Sequence, residues 1–139
     1  MNGIKAYAFD VYGTLIDTNG VLEKLQSYVG DRANIISATW RAKQLEYSFR
    51  RGLMQQYVPF PVVTAQAFHY ALATHQITLN DEAIADIIES YAHLPAFHDA
   101  KAALEKLADD SIALFAFSNG PKAVVTDLLA QAKILSYFQ

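Results

Sequence analysis

Asp10 is the residue of this sequence best suited to nucleophilic chemistry. It lies near the end of an apolar, β-prone run over residues 4–11, and Tyr12, Gly13 and Thr14 follow that run. A carboxylate at the end of a buried strand, facing a loop rich in backbone N–H groups, can attack an electrophilic carbon or phosphorus atom. Alone, such an aspartate is more often a turn or cap residue. The Tyr12-Gly13-Thr14 sequence favours a nucleophile, with the Thr14 hydroxyl orienting it.

A second polar loop, Ser118-Asn119-Gly120, comes just before Pro121, at which we predict that a helix begins. Its hydroxyl, its amide and the N–H groups of the helix start suit an anionic substrate. Arg41, far away in the sequence, offers a planar set of donors for a carboxylate or a departing anion. Taken singly, this loop is more often an ordinary turn before a helix, and Arg41 is more often a solvated helix residue; only their context favours a site.

Hydrophobic periodicity, prolines and capping residues predict the elements that would position these side chains. The predicted strands cover residues 4–11 and 111–117. Predicted helices cover residues 18–29, with Thr18 or Asn19 as the cap, then 34–55, 62–75, a helix capped by Asn80, 99–108 and 121–132.

The order of these elements is strand, helical insertion, helix, strand, helix. A second strand this apolar indicates parallel pairing in a sheet that is covered on both faces. The loops after both strands then meet at one edge, where ligands bind in open α/β sheets. We therefore predict an α/β fold in which residues 1–17 and 96–139 form a core and residues 18–95 a helical cap.

Composition narrows the range of functions. With 53% hydrophobic and 18% charged residues, the chain has ample material for a packed core. A net charge of -3 gives no basic surface for nucleic acid, and the absence of cysteine excludes disulfides and thiolate chemistry. The first seven residues lack the basic and then apolar pattern of a signal peptide, and no apolar segment is long enough to span a bilayer. We therefore expect a soluble, cytoplasmic protein without a membrane partner. The four histidines lack metal-ligand spacing, and we interpret them as structural.

Several stretches resemble the haloacid dehalogenase superfamily. Residues 9–15, FDVYGTL, are similar to its first motif, and residues 117–120, FSNG, to its second. Within the superfamily, residues 40–47, WRAKQLEY, and 57–60, YVPF, are similar to the cap sequence of L-2-haloacid dehalogenases. The resemblance extends from Ile4 to Phe138. It implies an incomplete Rossmann-like parallel-sheet core with an inserted helical cap of the four-helix-bundle type.

The resemblance implies hydrolytic dehalogenation of a short (S)-2-haloacid to an (R)-2-hydroxy acid and halide. Asp10 would displace the halide from C2 and form an ester that water then hydrolyses. Thr14 would orient Asp10, and Arg41 would receive the halide. The other residues would bind the substrate: Ser118, Asn119 and the backbone of Val11 and Tyr12 at its carboxylate, and Leu45 and Phe60 at its apolar part. No cofactor and no metal are implied.

Tyr12 distinguishes the branches of this superfamily. Its phosphatases carry a second aspartate two residues after the nucleophile, which protonates a leaving alkoxide and later activates water. This sequence has Tyr12 at that position. A halide leaves without a proton, so the substitution favours cleavage of a carbon–halogen bond.

The resemblance also implies a later lysine and a loop of carboxylate and amide groups for the hydrolytic water, which residues up to Gln139 do not include; Lys133 does not occupy that place. We therefore expect either part of a longer enzyme or a truncated product with little turnover. Two alternatives stay open: a magnesium-dependent phosphatase-type hydrolase, and a non-catalytic fragment that self-associates through its sheet edge. Cap helices of this family often mediate dimers, so a homodimer is a further expectation.

Overall fold

The computed structural model describes residues 3–109 and 112–139. Their contacts divide the chain into two compact units. The first, called here the sheet unit, comprises Met1–Gly20 and Ala92–Gln139, and the second, the helical unit, comprises Val21–Tyr91. The division into a core of residues 1–17 and 96–139 and a helical cap of residues 18–95 stays a prediction.

The elements of the described residues follow the predicted order. They are β1 (Ala6–Asp10), α1 (Asn19–Val29), α2 (Ala33–Leu53), α3 (Phe60–Thr74), α4 (Asp81–Glu89), α5 (Ala100–Asp109), β2 (Ala113–Phe117) and α6 (Lys122–Gln131). Ser111, where we predicted that the second strand would begin, lies outside the described residues. Within this part of the chain, no helix combines the length and apolarity needed to cross a membrane.

The sheet unit is built on two parallel strands. Ala6 of β1 pairs with Ala113 of β2, and the register continues to Asp10 opposite Phe117. The parallel pairing and the α/β class that we predicted are therefore confirmed. Beyond the strands, the Asp17 N–H donates to the Pro95 carbonyl over 2.8 Å. The Phe97 N–H donates to the Leu15 carbonyl over 2.9 Å. These bonds join the segment that leaves the sheet unit to the segment that returns to it.

One face of this sheet lacks the cover that we predicted. Leu114 is buried, whereas Phe115 and Phe117, which point to the opposite face, are 42% and 71% exposed. The expectation of a sheet covered on both faces is therefore wrong for the described residues. The apolar pattern of a strand shows that its side chains favour burial, but a second covering layer must come from elements that residues 3–109 and 112–139 do not supply.

Two of the helix starts show how local sequence sets the boundaries. Asn80 caps α4, as predicted, because its Oδ1 accepts a 2.8 Å hydrogen bond from the Ala83 N–H. At α1, which begins at Asn19, the Asp17 carboxylate accepts a 2.9 Å hydrogen bond from the Asn19 N–H, whereas the cap that we predicted was Thr18 or Asn19. A charged acceptor is favoured there because the start of a helix carries partial positive charge.

The core of the helical unit lies between α2 and α3. The rings of Trp40 and Phe68 are 4.2 Å apart, and both side chains are almost fully buried. Trp40 Nε1 also donates to the Thr64 carbonyl over 2.8 Å, which satisfies the buried indole. This packing fixes which face of α2 points inward.

A polar cluster links α1 to α4 in the same unit. Lys24 Nζ lies 2.6 Å from Asp86 Oδ2, and the Tyr28 hydroxyl donates to the same oxygen. These hydrogen bonds, the one from Lys24 most strongly, lower the pKa of Asp86.

Candidate active site

Asp10 lies at the carboxyl end of β1, opposite the last residue of β2. Thr14 Oγ1 donates a 3.2 Å hydrogen bond to Asp10 Oδ2. Both side chains are exposed. The carboxylate is thus oriented through one of its oxygens and remains accessible to a substrate.

The loop that carries Thr14 is closed by its own backbone. The Val11 carbonyl accepts the N–H groups of Leu15 and Ile16 over 3.0 and 2.9 Å, and the Gly13 N–H donates to the Ile16 carbonyl over 2.8 Å. Gly13 has a φ of 87°, a left-handed conformation that glycine adopts without a steric penalty. The buried side chains of Val11, Leu15 and Ile16 anchor this loop, so the Thr14 hydroxyl is held near Asp10.

The second polar loop begins at the same edge of the sheet. Ser118 directly follows Phe117, the strand partner of Asp10. Its Oγ accepts a 3.1 Å hydrogen bond from the Gly120 N–H, and the side chain is half-buried. Asn119 is exposed, and Pro121 caps α6. The register of the strands therefore brings Asp10 and Ser118, distant in sequence, to neighbouring positions.

The ring of Tyr12, a residue of the first loop, reaches the second loop. A methyl group at position 120 would come within 3.5 Å of Tyr12 Cε2, so the ring is close to the second loop. The side chain is half-buried, and burial raises the pKa of its phenol. Tyr12 is therefore neutral at ordinary pH and adds no charge beside Asp10.

An open cavity of about 480 Å³ lies beside β2 and α6. Ser118, Gly120 and Lys122 contribute to its lining, together with apolar residues such as Leu129. Asp10 does not line this cavity, although Phe117, its strand partner, does.

The remaining predicted site residues belong to the helical unit. Arg41 and Leu45 are exposed and each follows a buried residue of α2, Trp40 and Gln44 respectively. Phe60 is the first residue of α3 and is half-buried.

A buried polar pair in this unit was not predicted from the sequence. Gln44 Nε2 donates to Thr64 Oγ1 over 2.7 Å, and Thr64 Oγ1 donates to the Phe60 carbonyl over 2.9 Å. This chain connects the inward face of α2 to the first turn of α3. It therefore ties the first turn of α3 to the α2 residue Gln44, one turn along the helix from Arg41. The sequence feature that could have indicated this pair is the position of Gln44, four residues after Trp40 and so on the same face of α2.

Arg41 differs from the other cations of α2. Lys43 and Arg50 both pair with Glu46, at 2.6 and 2.8 Å, and Arg51 donates to Gln66 over 2.8 Å. In the part of the chain that the structure describes, no side chain pairs with Arg41. The solvated charged face that we weighed for this helix fits its neighbours, whereas the guanidinium of Arg41 keeps its donors available.

Two of the four histidines form hydrogen bonds with side chains of other elements. His75 Nε2 shares a 2.7 Å hydrogen bond with Thr39 Oγ1, and His93 Nδ1 one of the same length with Gln131. Across residues 3–109 and 112–139, no group of three or more His, Asp or Glu side chains is arranged to hold a metal ion.

The family model for haloacid dehalogenase-like hydrolases matches residues 4–139, which include both loops and both units. The chain belongs to the haloacid dehalogenase-like hydrolases. Among curated members, it is 36% identical over 135 residues to an (S)-2-haloacid dehalogenase of Xanthobacter autotrophicus. It is 33% identical over 138 residues to (S)-2-haloacid dehalogenase 2 of Pseudomonas sp. strain CBS-3. The resemblance inferred from the sequence motifs is thereby confirmed.

The same likeness holds in three dimensions. This haloacid dehalogenase-like chain matches the structure of L-2-haloacid dehalogenase from Xanthobacter autotrophicus with chloropropionic acid covalently bound, with a TM-score of 0.89 and 34% identity. The match covers 99% of this chain and 55% of that one. In sequence, the chain spans 53% of the Xanthobacter relative and 60% of the Pseudomonas relative.

Proposed function

We propose that this chain provides the nucleophile and the first binding residues for hydrolytic dehalogenation of a short (S)-2-haloalkanoate. The observation that carries the proposal is the Asp10 carboxylate, oriented by Thr14 at 3.2 Å and placed beside Ser118 by the strand register. Its exposure leaves room for a small substrate. The Xanthobacter relative with chloropropionic acid covalently bound is a precedent for a covalent intermediate.

In the proposed reaction, a carboxylate oxygen of Asp10 forms a bond to C2 of the haloacid as the carbon–halogen bond breaks. The halide leaves with the bonding electrons, and the configuration at C2 inverts. Water then adds to the carboxyl carbon of the ester, which releases an (R)-2-hydroxy acid and a proton and regenerates Asp10. No proton is required for the leaving group, which agrees with a neutral Tyr12 two residues after the nucleophile.

The second loop would hold the substrate carboxylate. Ser118 can donate its hydroxyl proton, because its oxygen already accepts from Gly120. The exposed amide of Asn119 and the backbone N–H groups of Val11 and Tyr12 complete the proposed set. Together they would supply neutral donors to an anion, without a second charge next to Asp10.

In the helical unit, we assign Arg41 to the departing halide. The assignment is supported by the guanidinium group, which no described side chain contacts through a hydrogen bond or ion pair. The other cations of α2 are all bonded to neighbouring side chains. Leu45 and Phe60 are the proposed apolar contacts of the substrate. Cytoplasmic location also belongs to this proposal and is supported by the cysteine-free sequence.

A homodimer forms part of the same proposal. Phe49 and Leu53, four residues apart on α2, are 68% and 86% exposed, and an apolar stripe of this kind fits a second copy of the chain. Sedimentation of a Phe49→Glu/Leu53→Glu variant tests it. Loss of the dimer supports the assignment to α2, whereas loss only with Phe117→Glu would point to self-association through the sheet.

The test of the reaction is alkylation of the purified chain by (S)-2-chloropropanoate in the presence of EDTA. We expect chloride release and a mass gain of one 1-carboxyethyl group on Asp10, absent from Asp10→Asn. The (R) enantiomer is the matched control and should give neither. A hybrid in which residues 1–139 are followed by the remaining segment of the Xanthobacter relative tests whether turnover then follows.

Other outcomes point to the alternatives. Hydrolysis of p-nitrophenyl phosphate that requires magnesium and Asp10 would favour a phosphatase-type enzyme. No ester and no chloride from the chain or from a folded hybrid would contradict the dehalogenase proposal and favour a non-catalytic role.

A further inference from the structure

Gly120 lies at a crowded position of the sheet unit. A methyl group there would lie 2.9 Å from Val125 Cγ2, closer than non-bonded carbon atoms approach each other. It would also lie 3.5 Å from both Ser118 Oγ and Tyr12 Cε2. The side chain of Val125, in the first turns of α6, fills the space that a residue larger than glycine would need.

The backbone of Gly120 acts on Ser118. Its N–H donates to Ser118 Oγ over 3.1 Å, so this oxygen serves as the acceptor. A serine hydroxyl has one proton to donate, and once the oxygen accepts this bond the proton must point elsewhere. The short turn thus presents Ser118 as a donor at the edge of the sheet where Asp10 lies.

We propose that Gly120 is a positioning residue: without a side chain the turn fits beside Val125, so the Gly120 N–H keeps its hydrogen bond to Ser118 Oγ and the Ser118 hydroxyl stays beside the Tyr12 ring. The anion that Ser118 would receive, a haloacid carboxylate, rests on the proposed function. The packing of position 120 against Val125 does not.

The experiment compares the parent chain with Gly120→Ala, Val125→Ala and the double variant. Propanoate, which has no leaving group, is titrated against each and followed by the NMR signals of Ser118 and Tyr12. Loss of one hydrogen bond to the anion should weaken propanoate binding about tenfold in Gly120→Ala. Val125→Ala should stay within about twofold, and the double variant should recover most of the loss because the space taken by the added methyl group is now free.

Hydrogen exchange of the amide at position 120 provides a readout that does not depend on function. We expect faster exchange in Gly120→Ala and restored protection in the double variant. A merely destabilising effect would instead make the double variant worse than either single one. If Gly120→Ala does not fold, the comparison of the double variant with Val125→Ala carries the test.

The two failures are distinguishable. Unchanged exchange and an unchanged Tyr12 signal in Gly120→Ala, or no recovery in a folded double variant, would overturn the positioning role. If the parent chain neither binds propanoate nor forms an ester, the proposed function fails. The exchange data then still decide whether position 120 orients Ser118.

Discussion

The Gln44 amide donates a 2.7 Å hydrogen bond to the Thr64 hydroxyl where both side chains are almost fully buried between α2 and α3. Thr64→Val should therefore leave the Gln44 amide without this partner and lower the free energy of unfolding by about 1–3 kcal/mol. The Gln44→Leu/Thr64→Val double variant should lose less than the sum of its single changes, because no polar group then stays unpaired.

Urea unfolding followed by circular dichroism measures these differences. Gln66→Ala is a suitable control, since Gln66 is exposed and its side chain is bonded, among the described residues, only to Arg51. Its effect should stay within about 0.5 kcal/mol. Additive costs in the double variant would show that the pair is not coupled.

Arg41 should matter for chemistry and not for stability. Because none of the described residues pairs with it, Arg41→Gln should leave the free energy of unfolding nearly unchanged. Loss of the bond that we propose between Arg41 and the departing halide should slow alkylation of Asp10 by about ten- to hundredfold. The matched control is Arg50→Gln on the same helix, which breaks the ion pair with Glu46. It should cost about 0.2–1 kcal/mol in stability and keep the alkylation rate. Equal alkylation rates in the two variants would rule out the assigned role.

The Lys24–Asp86 pair should make stability depend on pH in the acid range. Its hydrogen bonds lower the pKa of Asp86 from the ordinary 3.8, so the stabilisation is present above that value and is lost as the pH falls through the lowered pKa. The stability difference between the parent chain and Asp86→Asn should accordingly shrink on acidification. Denaturant titrations at a series of pH values check this, with Asp127→Asn, an exposed aspartate of α6, as the control. A difference that does not change with pH would contradict the linkage.

Lys133 follows α6 with a φ of 59°, in the left-handed region. The turn that it forms lets the Ile134 N–H donate to the Leu129 carbonyl over 3.0 Å and buries Ile134. Because glycine adopts this conformation without the clash of a Cβ atom, Lys133→Gly should raise the free energy of unfolding by about 0.5–1 kcal/mol. Lys133→Ala removes the charge but keeps the strain, and should show no gain. Equal thermal stability of the two variants would contradict this explanation.

Features that depend on local sequence were predictable. Asn80 caps α4 as expected, since a cap needs only the acceptor side chain and the helix that follows it. The parallel pairing of β1 and β2 followed from apolar strands joined through a helix. Asp10 and Ser118 could be placed at one edge because parallel strands end on the same side.

Features that depend on tertiary packing were not predictable. The burial of Gln44 requires Thr64 to face it from another helix, and nothing within α2 indicates that partner. The crowding at Gly120 arises from Val125, whose position is known only once α6 is packed. Phe115 and Phe117 belong to an apolar strand, but the sequence pattern could not reveal that the described residues leave their face exposed.

The hydrogen bonds from Asp17 to Pro95 and from Phe97 to Leu15 also bear on how such a fold can change. They join the chain just before the inserted segment to the chain just after it. Residues 21–91 are therefore a continuous insertion between two neighbouring segments of the sheet unit and contribute no strand to the sheet. An exchange of this segment for another helical hairpin or bundle, or its replacement by a short turn, would need no rethreading of the strands. The same Asp10 loop can therefore be combined with different inserted segments by simple recombination.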